Sequence, residues 1–241
     1  MLLTFFTIAL LFNSCSELQV QQTMSGIDEA LNTQNTGGLS NADVIAGLKE
    51  ALEIGARNSA GSASGLDGFW KNDLIKISFP EDAIKVRNTL MDMGMSAQVE
   101  QFEMTLNRAA EDASKEAATI FVNAILSMSI QDGFGILNGS DHAATEYLQR
   151  TTTAQLEQKF TPIVSASIEK VELTKYWQPL ATKYNAITAF TGGQPVEPDL
   201  TTYVNQRAID GLFALIAQEE EKIRKDPAAQ VTDLLKKVFG N

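Results

Sequence analysis

The sequence predicts an all-α protein: a multi-helix, bundle-like or orthogonal array with at most one very short extended segment or ribbon near residues 74–79. Three observations predict it. After residue 40, apolar residues recur at the spacing of one helix face over most of the chain. The stretches between these runs are short and carry the Ser, Asp, Pro and Gly that start and stop helices. Only Leu-Ile-Lys-Ile-Ser-Phe at 74–79 alternates with the period of a strand, and no second strand is legible to pair with it.

The elements follow in chain order. Residues 2–12 form an apolar run too short to span a bilayer but suited to the core of a signal peptide. Asn13-Ser14-Cys15 follows at once, and a small residue then cysteine at this point resembles a bacterial lipoprotein processing site. No Lys or Arg precedes the run, where such a region is normally basic, and an ordinary signal peptide with an incidental cysteine stays open. Residues 1–14 are thus expected to be a lipoprotein-type signal peptide, with Cys15 the point of lipid attachment. Residues 15–38, rich in Gln, Asn, Thr and Gly, have the composition of a flexible tether. Residues 39–241 are expected to form a single helical domain.

Ser40 and Asp43 give a capping-box-like start, and Val44, Leu48, Ala51, Leu52 and Ala56 share one face. Gly61 to Gly65 reads as a break. Pro80 opens a helix at its first position, with Glu81 and Asp82 suiting the positive end of its dipole. Residues 96–129 carry helical spacing without Pro or Gly and predict one helix of about 50 Å. A second helix follows Ser129 and stops at Asn138-Gly139, and Ser140 is expected to cap the next. From 141 to 190 the pattern stays helical, broken or kinked near Pro162 and Pro179. Gly192 to Pro198 is a loop, and Asp199 opens a long helix carrying Val204, Ala208, Leu212, Leu215 and Ile223 inside. Asp226-Pro227 marks a joint before a last amphipathic helix over 231–239. No repeat of fixed period occurs.

Several blocks together carry a resemblance. They are Gly38 to Leu52, Asn107-Arg108-Ala109-Ala110-Glu111, Ser129-Ile130-Gln131-Asp132-Gly133, and Ile136-Leu137-Asn138-Gly139. Ala143 to Tyr147, Phe160 to Val164, Asp210 to Phe213, and Ile223 to Pro227 complete the set. In combination they resemble a bacterial family known only as a domain of unknown function, number four-one-nine-seven of that series, over about residues 38–240. The resemblance implies export in Gram-negative bacteria. It implies no activity and supplies no catalytic residues.

Composition narrows the function classes. With 241 residues, 44% apolar and 20% charged, the chain has the makings of a sizeable core. A net charge of -11 without a basic cluster argues against nucleic acid as a partner. One cysteine and one histidine exclude an intrachain disulfide and a Cys- or His-rich metal centre, and no cofactor or metal is expected.

Polar residues on apolar-patterned helices mark a candidate pocket: Asn107, Arg108, Glu111, Asp132, Thr145 and Arg150. Arg108 and Glu111 are spaced to pair locally, so a structural ion pair is the alternative to a pocket lining. Asp132 and Asp141 lie where a carboxylate caps a helix start. His142 reads as a helix-start surface residue; its adjacency to Ser140 and Asp141 is no evidence for a triad, whose members come from separate elements. Glu219 to Glu221 with Lys222, Arg224 and Lys225 read as a solvated helix end.

Two expectations follow. The first is a non-catalytic lipoprotein on the periplasmic side of the cell envelope, at the outer membrane. It would be held to the membrane by its lipid anchor and would bind an envelope protein or an apolar small ligand. The alternative is an envelope hydrolase using the carboxylates of Glu111 and Asp132, which for glycosidic chemistry should stand roughly 5–9.5 Å apart.

Overall fold

A computed structural model describes residues 40–92, 94–170 and 199–225, and between the last two residues 177, 181–182, 184–186, 189–190, 192 and 195–196. The expected signal peptide, Cys15, the tether, Pro179, the Asp226-Pro227 joint and the last helix lie outside the described residues. By compactness the chain divides into Met1–Val44 and Ile45–Asn241. Of the first unit, the described part is Ser40 and the opening turn of a helix, closed by a reciprocal box. Ser40 N–H donates to Asp43 Oδ2 at 3.0 Å, and Asp43 N–H to Ser40 Oγ at 3.1 Å.

The described helices are α1 (Asn41–Ser64), α2 (Ile84–Asp92), α3 (Ser96–Ser114), α4 (Ala117–Leu126), α5 (Ile130–Leu137), α6 (Ala143–Ile168) and α7 (Leu200–Lys225). No strand occurs among the described residues, and the fold is all-α. In the second unit α6 and α7 pack together, α3 lies against both, and α4 and α5 pack on α6. The shared core is built from Phe102 and Leu106 of α3, Phe121 and Ile125 of α4, Leu148, Leu156 and Phe160 of α6, and Leu212 of α7. Full burial of each such side chain contributes about 1.5–3 kcal/mol. Among the described residues no single helix is long and apolar enough to cross a membrane.

Several boundaries differ from those read in the sequence. Helix α1 runs through Gly61 to Ser64, because Ala60 and Ala63 are buried and their packing outweighs the cost of about 1 kcal/mol for a helical glycine. Pro80 precedes a 3₁₀ turn, Glu81–Ala83, which leads into α2. The long helix over 96–129 is two helices, α3 and α4. Lys115 and Glu116 N–H groups donate to carbonyls three residues back, Asp112 and Ala113, a tightening that divides them. Pro162 does not interrupt α6. The proline is exposed, while Leu156, Phe160, Val164 and Ile168 on the inner face are buried and hold the helix together across it.

The segment at 74–79 is extended over a shorter stretch than its alternation predicts. Leu74 and Ile75 lie in a turn, with Ile75 and Lys76 N–H donating to Asn72 O, and only residues 76–78 run free of turns, their partner a side chain. Ile75, Ile77 and Phe79 point into the core, and Ser78 is exposed. Asn107 of α3 offers its amide to the backbone of Ile77. Ile77 N–H donates to Asn107 Oδ1 at 2.8 Å, and Asn107 Nδ2 donates to Ile77 O at 2.7 Å. One primary amide thus supplies the donor and acceptor that a neighbouring strand would. The device recurs at the loop before α7. Asn185 Nδ2 donates to Val196 O, and Val196 N–H donates to Asn185 Oδ1, each at 2.7 Å.

Candidate functional site

The six residues of the predicted pocket fall into three separate surroundings. Asn107, Arg108 and Glu111 gather under the loop between α1 and α2. Glu111 is 4% exposed. Its Oε1 accepts from the N–H groups of Phe69 and Trp70 at 3.1 and 3.2 Å, and its Oε2 from Arg108 Nη1 at 2.6 Å. Arg108 Nη2 donates onward to Asp67 Oδ1. Lys71, and after it Arg108, holds the Asp67 carboxyl below its usual range, and Glu111 and Asp67 raise Arg108. The loop lies flush on α7: a Cβ at Gly211 would stand 2.9 Å from Phe69 Cε1 and 3.1 Å from Ile75 Cβ. These three residues are occupied in pinning the loop to α3, and an internal ion-pair network is the reading that fits them.

Thr145 belongs to a second network, whose centre the sequence reading placed in solvent. Glu220 of α7 is 4% exposed. Its oxygens cap the start of α6, accepting from Ala144 N–H at 3.0 Å, Thr145 N–H at 2.9 Å and Thr145 Oγ1 at 2.8 Å. Arg224, one turn later, donates to Glu220 Oε1 at 2.9 Å and to the Ile136 carbonyl at the end of α5 at 3.0 Å. An acid therefore meets the positive end of one helix and a base the negative end of another. Neither Ser140 nor Asp141 serves as the cap of α6. Ser140 Oγ accepts from His142 N–H at 3.3 Å, and Asp141 is exposed and lies 3.6 Å from Lys225 Nζ. His142 is exposed at the helix start. The flanking pairs Lys222–Glu219 and Lys225–Glu221 are surface pairs, as expected of a solvated end.

Asp132 and Arg150 are brought together. They stand on facing walls of a groove of about 390 Å³ between α5 and the first turns of α6. Its other polar lining is Gln131, Ser140, Glu146 and Tyr147, with Gly135, Ile136, Gly139 and Ala143 completing the walls. Asp132 is the third residue of a capping box on α5. Its Oδ2 accepts from Ser129 N–H at 3.1 Å and Ser129 Oγ at 2.6 Å, while Asp132 N–H donates to Ser129 Oγ. These bonds, with a smaller contribution from Arg150, hold the Asp132 carboxyl below the usual range. Only Oδ2 is taken by the box, and Oδ1 accepts no hydrogen bond from the described residues. Arg150 lies over the Tyr147 ring, 5.6 Å from its centroid, and closes no ion pair with Asp132 or with Glu146 one turn before it. Glu146 accepts one long bond, from Ser140 Oγ at 3.4 Å. Burial pushes the Tyr147 hydroxyl up, and it donates to Ala124 O at 3.3 Å.

Glu111 is absent from this groove, and both its oxygens are committed to the loop network. The carboxylates of Glu111 and Asp132 share neither a partner nor a cavity wall. Among the described residues no group of three or more His, Cys, Asp or Glu is placed to hold a metal ion. The groove residues that sequence reading missed are Gln131, Ser140, Glu146 and Tyr147. The available signal was the i, i+3 and i, i+4 spacing of Glu146, Tyr147 and Arg150 on one helix face.

No curated protein and no solved structure matches the chain. Residues 38–240 match the family described as Protein of unknown function (DUF4197), so the chain belongs to that family.

Proposed function

We propose that this is a non-catalytic binding protein of the cell envelope, held to the membrane through acylated Cys15 and taking its ligand in the α5–α6 groove. One observation carries the groove. The buried carboxylates Glu111 and Glu220 and the partly buried Arg108 and Arg224 are spent on partners within the fold, whereas Asp132, Glu146 and Arg150 keep unused hydrogen-bonding capacity around an accessible space. The volume falls within the roughly 300–1,000 Å³ of small-ligand sites. The polar lining suits a polar ligand better than the apolar small ligand expected between the helices. A carboxyl held low by Ser129 is ionised at neutral pH, which fits Asp132 as a charge partner for a ligand better than as a general acid.

The envelope address rests on the apolar run at 2–12 followed directly by Ser14-Cys15. Several acyl chains on one cysteine would hold the body firmly, with 15–38 as tether to a single helical domain. The test is native mass spectrometry of protein released from membranes, beside a Gly135→Leu variant. A Cβ at Gly135 meets nothing within 4 Å, so a larger side chain there enters the groove without displacing the fold. A species of constant mass should accompany the wild type and be lost from the variant, and Cys15→Ser should leave the membrane fraction. Equal occupancy of wild type and Gly135→Leu, or membrane retention of Cys15→Ser, would sink the corresponding half.

A further inference from the structure

We infer that the α5–α6 groove takes a zwitterionic ligand, one bearing a carboxylate and an ammonium group a few bonds apart, as a free amino acid or short peptide does. This rests on the groove being a binding site and adds the chemistry of what enters it. Arg57, Arg87, Arg108 and Arg224 each close an ion pair within the fold. Among the described residues Arg150 and Arg207 close none, and of these two only Arg150 lines the groove, with Glu146 one helical turn away and Asp132 on α5 lining the same space. Its guanidinium instead lies over Tyr147, Cζ 5.6 Å from the ring centroid, and its N–H donors are not taken by an ion pair within the fold. Those donors match a carboxylate in two parallel bonds.

The complementary charge is on the same walls. Asp132 retains Oδ1, and Glu146 retains Oε2 and holds only a 3.4 Å bond at Oε1. A purely anionic ligand would bring its charge against these two carboxylates. A purely cationic one would leave Arg150 unpaired. A ligand carrying both groups satisfies both walls, its carboxylate on Arg150 and its ammonium between Asp132 and Glu146. Gly135 opens the floor of the groove for close approach.

The experiment is isothermal titration calorimetry on the full chain with trialanine, N-acetyl-trialanine and trialanine amide as probes. Trialanine should bind, and blocking either end should weaken it about 10–100-fold, the loss of a charge-assisted hydrogen bond. Arg150→Gln should weaken trialanine to the level of its amide and make free and amidated peptides equal. Thermal melts of Arg150→Gln confirm folding, since among the described residues this exposed side chain closes no ion pair and lies over the Tyr147 ring. Three outcomes overturn the inference: the amide binding as well as the free peptide, the acetylated peptide doing so, or none of the three binding. Gly135→Leu separates the two readings. If the amide binds and this variant blocks it, the groove stands and the zwitterion falls. If trialanine binds equally to the variant, the groove itself falls.

Discussion

Replacing Glu220 by Gln tests most sharply the reading of the buried charges as internal struts. The substitution keeps the volume and removes the charge, and it turns one acceptor oxygen into an NH₂ group. In the native arrangement one oxygen serves Ala144 N–H and Arg224, and the other serves the N–H and hydroxyl of Thr145. The amide can face one pair correctly and must present hydrogens to the other. Arg224, 16% exposed at its side chain, loses its counter-charge in the same step. Removing one partner of a buried pair costs about 3–5 kcal/mol. For a chain of this size that lowers the melting temperature by on the order of 10 °C, at roughly 2–4 °C per kcal/mol. The assay is thermal unfolding followed by circular dichroism, with the exposed neighbour as control. Glu221→Gln should leave the melting temperature unchanged, since Glu221 pairs only with Lys225 at the surface. A Glu220→Gln protein that melts with the Glu221→Gln control would refute the reasoning.

Other expectations follow from the same geometry. Asn107→Ala strands the buried N–H and C=O of Ile77, which should destabilise by about 2–4 kcal/mol and raise hydrogen exchange at the Ile77 amide more than at the core of α7. Two glycines should respond with opposite sign in urea titrations. Gly135→Ala gains about 0.5–1 kcal/mol because it removes a helical glycine into open space, whereas Gly211→Ala loses stability because its Cβ meets Phe69 and Ile75. Asp67 and Asp132, both held below their ordinary value as Glu221 also is, contribute to the pH dependence on the acid side. Each aspartate contributes stability that is present above about 3.9, the unfolded value, and is lost as pH falls through the lower folded value. Ser129→Ala should therefore make the acid-side fall in melting temperature shallower, as followed from pH 6 to about 2.

Much of the fold is legible because it rests on local signals. The boxes at Ser40–Asp43 and Ser129–Asp132, the Asp199 cap and the apolar faces of α3, α6 and α7 each declare themselves within a few residues. The misplaced boundaries have a common physical cause. Tertiary packing carried α1 across Gly61 and α6 across Pro162, against the local preference of each residue. The partner of the extended segment was illegible because it is Asn107, 30 residues away and on a helix. Glu220 was illegible for the same reason. Within Glu219-Glu220-Glu221 nothing local distinguishes the buried acid from its exposed neighbours, and its function depends on the start of α6, 75 residues earlier. The candidate site was half legible. Asp132 and Arg150 stood out, but spacing alone could not show that they share a groove while Asn107, Arg108 and Glu111 close on a loop.

The division between closed internal networks and one open groove can be read in a single experiment. Labelled full-length protein is titrated with the small-molecule fraction of its own cells, and the arginine side-chain and backbone NMR signals are followed. The Arg150 Nε–Hε signal and the amides of residues 131–147 should shift together, with Arg108, Phe69 and Trp70 unmoved. Shifts centred on Arg108 and the Phe69–Trp70 amides, with Arg150 silent, would contradict the assignment of the groove as the site.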